Sequence, residues 1–110
     1  MKRVVIQYKV KAEQAEHNVE LIRAFHDELE RTRPEGPGHA VLRLADGVTF
    51  IHISEETGEA DGRLWGLESF QRFEARIADR CEVPPAVQGS SEVGSYRLFA
   101  SSSPTKETRP

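Results

Sequence analysis

The sequence predicts an α+β domain of the ferredoxin-like kind, β-α-β-β-α-β, with a four-stranded antiparallel sheet and two helices on one face. Three observations lead there. Strand-like alternation opens the chain at Val4 to Val10, an amphipathic helical period follows, and an Asp46-Gly47 turn joins two further apolar runs. A second helical stripe and a closing alternation complete two strand-helix halves, a split β-α-β arrangement.

In the first strand Val4, Ile6, Tyr8 and Val10 share one face while Val5, Gln7 and Lys9 share the other. From Glu13 to Arg33 the period lengthens: Ala15, Val19, Ile22, Phe25 or His26, and Leu29 recur every three or four residues, with acids and arginines largely on other faces. Pro34 ends this helix, because it lacks the donor for the next helical bond and biases Arg33 away from helical angles. Gly36-Pro37-Gly38 follows a helix instead of preceding one, so it reads as turn chemistry and not as a phosphate loop.

Ala40 to Leu44 and Val48 to Ser54 flank Ala45-Asp46-Gly47, and Asp-Gly supplies the positive φ of a tight hairpin. Glu55 to Arg63 is an acidic, glycine-containing loop that could serve as a lid. Leu67, Phe70, Phe73, Ile77 and Cys81 space as the buried stripe of a second helix, which Pro84-Pro85 stops. Ser91 to Ala100 then alternates as the last strand. The domain is expected over residues 1–100, and 101–110 is a Ser/Thr/Pro/Lys stretch expected to be a flexible tail.

At 110 residues there is room for one domain, and a hydrophobic share of 37% against 30% charged makes its core a modest one. In the third strand Val48, Phe50 and His52 alternate with Thr49, Ile51 and Ile53, so both sheet faces carry bulky apolar groups. Helices cover only one of them, and a homodimer packed face to face would bury the other.

A net charge of -3 with interleaved signs offers no phosphate-gathering surface, so no nucleic-acid partner is expected. No apolar run approaches the ~20 residues that span a bilayer, so no membrane partner is expected either. The single cysteine, Cys81, excludes an intrachain disulfide and an all-cysteine metal site, and no secretion signal opens the sequence; a cytoplasmic location is the expectation.

The strong catalytic signatures are absent: no phosphate loop, no Gly-x-Ser-x-Gly elbow, no His-Glu-x-x-His. His17, His26, His39 and His52 lack close metal-ligand spacing, although distant pairs can meet in a fold; no metal is expected, and His17 and His26 read as helix surface. His52 stands mid-strand beside Phe50, where desolvation would keep it neutral, either as a hydrogen-bonded wall residue or as a base. Trp65 either caps the core or floors an aromatic pocket. Arg43 and Arg97 are mid-strand guanidinium groups that could fix a phenolate or pair with a carboxylate, and the Gln7 amide could orient a ligand carbonyl or hydroxyl. Cys81 reads as inert packing.

With the elements placed, residues 2–100 resemble the antibiotic biosynthesis monooxygenase-like family of dimeric α/β barrels. The likeness rests on the strand Val4-Val5-Ile6-Gln7-Tyr8-Lys9-Val10-Lys11, the long first helix, the Asp46-Gly47 hairpin, and Trp65 ahead of Phe70-Gln71-Arg72-Phe73. That family includes cofactor-free oxygenases that oxidise reduced aromatic polyketides to quinones, and haem-degrading enzymes. In the haem-degrading branch Gln7 would stand at a strand asparagine and Trp65 at a tryptophan, but Glu74 occupies the position of the helix histidine, so no haem or other cofactor is expected. The resemblance implies a cofactor-independent monooxygenase acting on a small phenolic, quinol or polyketide-like aromatic ligand. His52 would be the base, and Gln7, Trp65 and Arg97 would position the ring. The alternative is a non-catalytic small-molecule-binding or interaction protein of the same fold.

Overall fold

The computed structural model describes residues 2–32, 38–56 and 66–98. Their elements run β1 (Lys2–Val10), a 3-10 turn (Ala12–Gln14), α1 (Ala15–Thr32), β2 (His39–Arg43), β3 (Thr49–Glu56), α2 (Glu68–Glu74), α3 (Ile77–Arg80) and β4 (Cys81–Ser90). The strands form one antiparallel sheet in the order β2-β3-β1-β4, which is the predicted ferredoxin-like topology.

The period-two pattern of β1 sets the two faces. Tyr8 and Val10 are buried beneath the helices, and the register places Phe50 opposite Tyr8 and His52 opposite Ile6, so these groups share the helix-covered face. The Tyr8 and Phe50 rings stack at 5.6 Å. α1 lays Ala15, Asn18, Ile22 and Phe25 on that face at helical spacing. Phe25 meets Phe70 of α2 at 5.1 Å between ring centroids, and Phe73 completes the core. A second tie joins the helices: the Glu28 carboxylate accepts hydrogen bonds from the Ser69 backbone N–H and hydroxyl. These bonds lower the Glu28 pKa.

The predicted hairpin is present. Gly47 takes φ 80°, and the Asp46 carboxylate accepts hydrogen bonds from the Val48 and Thr49 amides and the Thr49 hydroxyl. These bonds hold its pKa below the ordinary aspartate value.

Two elements depart from the sequence reading. The second helical stripe is broken: α2 ends at Glu74, Arg76 adopts a left-handed φ of 63°, and α3 restarts at Ile77. Cys81, read as the end of that stripe, instead opens β4 opposite Val10. The last strand among the described residues is 81–90, with none over 91–98 where one was expected, and it contains Pro84 and Pro85. The prolines are tolerated because β4 is an edge strand, and the β1–β4 register shifts between Gln7 and Lys9, where they lie. Residues 91–98 are irregular and exposed. The lid expectation beyond Glu56, the segment 36–37 and the tail 101–110 lie outside the described residues.

The sheet face away from the helices carries Ala40, Leu42, Ile51, Ile53, Val5 and Val83 around Gln7. Leu42 and Val83 are each 51% exposed.

Candidate functional site

Between the helix-covered face and α2–α3 lies a cavity of about 450 Å³, within the range of small-ligand pockets. One wall is the sheet, with Ile6, Tyr8, His39, His52 and Ser54; the other is helical, with Phe70, Phe73 and Ile77. Gln71 and Glu74 stand at its rim, and Pro85 and Val87 of β4 border it.

The polar side of this cavity is one directed chain. Arg80, 5% exposed, donates from Nε to the Asn18 side-chain oxygen at 3.1 Å, and from its other nitrogens to the backbone oxygens of Phe73 and Ala75. That bond orients the fully buried Asn18 amide, whose Nδ2 donates to the Tyr8 hydroxyl at 3.0 Å. The phenol's own proton then faces His52 Nε2, 2.8 Å away, so the neutral imidazole accepts there and carries its proton on Nδ1. Burial raises the Tyr8 pKa, against the hydrogen bond from Asn18 and the charge of Arg80, so the phenol stays protonated. Burial and then His26 lower His52 to about 4.

Two more histidines join. His39 opens β2 opposite Ser54, and its ring meets that of His52 edge-on at 5.3 Å. Its Nδ1 is 3.0 Å from His26 Nε2 on α1. Burial, with the two neighbouring imidazoles, lowers His39 to about 3, and burial lowers His26 as well. Three neutral imidazoles therefore run from the cavity to the edge of α1. Among the described residues no group of three or more histidines, cysteines or acids is arranged to hold a metal ion.

The sequence candidates are dispersed. His52 lines the cavity. Gln7 pairs with Ile51 and Ala86 and projects to the opposite face of the sheet, beside Val5, Lys9 and Gln88. Arg43 closes the hairpin: Nε donates to the Gly47 carbonyl oxygen, Nη2 pairs with Glu16, and the guanidinium lies 5.8 Å from the Phe50 ring centre. Arg97 is not in a strand; it has φ 67° in the exposed segment after β4, with its guanidinium 5.0 Å from the Tyr96 ring centre. Trp65 lies outside the described residues. Burial raises the Cys81 thiol pKa, in keeping with packing.

Sequence reasoning passed over Tyr8, Asn18, His39 and Arg80. Tyr8 reads as one more apolar strand residue, and Asn18 interrupts an apolar stripe without disturbing its period. The signal available was the buried face itself: a polar residue on it needs a partner, and Tyr8, Asn18 and His52 all fall there.

Neither a family model nor a curated sequence matches the chain. Solved structures do. A Nitrosomonas europaea protein assigned as an antibiotic biosynthesis monooxygenase superposes with TM-score 0.71 at 18% identity, over 86% of this chain and 100% of its own. Another antibiotic biosynthesis monooxygenase gives 0.68 at 20%, over 86% and 100%. SnoaB from Streptomyces nogalater, a cofactor-independent oxygenase, gives 0.64 at 13%, over 88% and 97%. At such identities the likeness concerns the fold, and the fold is that of the antibiotic biosynthesis monooxygenase-like proteins.

Proposed function

We propose that the chain is a homodimeric, cofactor-independent monooxygenase acting on a small phenolic, quinol or polyketide-like aromatic. The observation that carries this reading is the buried, neutral His52 held by Tyr8 at the wall of an aromatic-lined cavity. The solved structures of the same fold with monooxygenase and oxygenase descriptions support it.

The chemistry follows from the hydrogen-bond chain. A substrate hydroxyl entering the cavity passes its proton to His52 Nε2, and Tyr8 turns its O–H from the imidazole to the new oxyanion while Asn18 holds the phenol oxygen. An imidazole lowered to about 4 is a weak base on its own, but the substrate's developing negative charge raises its proton affinity at that moment. The electron-rich anion gives an electron to dioxygen, and recombination forms a carbon–oxygen bond. Loss of water then converts a CH₂ to a C=O: one oxygen atom enters the product, and the other leaves as water with the two hydrogens.

The homodimer reading rests on the uncovered apolar face around Leu42, Ile51 and Val83, and on Val93, Tyr96 and Leu98 exposed after β4. Oxygen uptake with anthrones and hydroquinones tests the activity. His52→Ala should abolish uptake and Tyr8→Phe should lower it about a hundredfold or more, the cost of losing one oxyanion donor. No uptake above background across the panel favours the rival reading, a non-catalytic aromatic-binding protein.

A further inference from the structure

Ser54 is 3% exposed and its hydroxyl has no hydrogen-bond partner among the described residues, although it lines the cavity two residues along β3 from His52. Buried hydroxyls are nearly always paired, and leaving one unpaired costs about 1–3 kcal/mol. Ser54 is itself part of the cavity wall. Among the described residues that line the cavity there is no lysine or arginine, and Glu74 is the one ionisable carboxyl, so none of them offsets a negative charge on a ligand. Apolar rings cover the opposite wall.

We propose that Ser54 is a second anchoring group, and that the ligand is an uncharged, flat aromatic with two oxygen functions along one edge. One function meets the Tyr8–His52 pair and the other meets Ser54, about 7 Å away at two residues of strand rise. This deepens the aromatic-site reading and rests on it. It assigns to Ser54 the choice among aromatics, with no part in the proton transfer.

Calorimetric titration tests it with redox-inert probes, wild type against Ser54→Ala. The probes are a naphthalenediol with its hydroxyls on separate rings, the mononaphthol, and naphthoate. The wild type should bind the diol about five- to tenfold tighter than the mononaphthol, the worth of one hydrogen bond. It should bind naphthoate more weakly than either. Ser54→Ala should lose the diol preference and keep the mononaphthol affinity, which also reports that the variant is folded. Equal binding of diol and mononaphthol, or a preference unchanged in Ser54→Ala, overturns the inference and leaves the aromatic site standing; in the latter case the hydroxyl is satisfied by water. Naphthoate as the tightest ligand overturns the uncharged class. Binding of none of the probes overturns both readings.

Discussion

Tyr8 and His52 sit diagonally across β1 and β3: their own Cα partners are Phe50 and Ile6, yet hydroxyl and Nε2 lie 2.8 Å apart. Diagonal neighbours on one sheet face are within reach of long aromatic side chains, and the pair places a donor and an acceptor where the core would otherwise be apolar. The neutral forms of both groups follow from that burial.

Tyr8→Phe removes the hydroxyl that Asn18 and His52 share, leaving a buried amide hydrogen and an imidazole nitrogen to find other partners. A loss of about 1–3 kcal/mol in urea denaturation is expected. A change below about 0.5 kcal/mol, the usual scale of an inconsequential surface substitution, would show that the chain is not a stabilising one.

Stability should fall in acid earlier than carboxylates alone would cause. His39 at about 3 and His52 at about 4 lie below the ordinary 6.5, so between 6.5 and these values the unfolded chain binds protons that the folded chain refuses. The folded state is therefore favoured above 6.5 and loses ground as pH falls, with a limiting slope of about 1.4 kcal/mol per pH unit for each imidazole. Glu28 and Asp46, also lowered, act in the same direction but only below their ordinary values of 4.5 and 3.8. Denaturation midpoints should thus already decline between about pH 6.5 and 5, and His39→Phe should flatten that decline. A flat profile in that window would contradict the burial of these imidazoles.

Arg80→Met should cost about 2–4 kcal/mol, because it strands the Asn18 side-chain oxygen and the Phe73 and Ala75 carbonyls together. Arg80→Lys should recover less than half of this, since a single ammonium cannot span three acceptors in a fixed plane. Thermal unfolding of the three proteins checks the order.

Light scattering tests the dimer. The wild type should have twice the 12.4 kDa chain mass, and Ile51→Glu with Leu42→Glu should return it to one chain mass by placing charge on the uncovered sheet face. A wild type at 12.4 kDa would refute the dimer.

The fold was legible because period and punctuation agree along most of the chain. Val4 to Val10 alternate, the long helical stripe is α1, and Asp46-Gly47 marks the hairpin where Gly47 does adopt positive φ. The reading failed where a local rule depends on tertiary place. Pro84-Pro85 reads as a stop, but an edge strand can spare their amides. The exposed alternation from Ser91 to Leu98 then takes the strand's place on paper. Within the site, His52 was legible as a polar residue in an apolar run. Its partners come from positions 10 to 62 residues apart in the chain, and which strand pairs with which decides their meeting. Gln7 shows the same from the other side: one residue of register from Tyr8 puts it on the far face.

The prolines of β4 have a consequence for how copies of this chain can meet. A sheet grows sideways when a free margin offers a row of amides and carbonyls to another strand, and two adjacent imide nitrogens interrupt that row. This margin is thereby a poor template for lateral addition, which guards the chain against open-ended stacking. It leaves face-on contact as the favoured route to assembly on this side of the molecule.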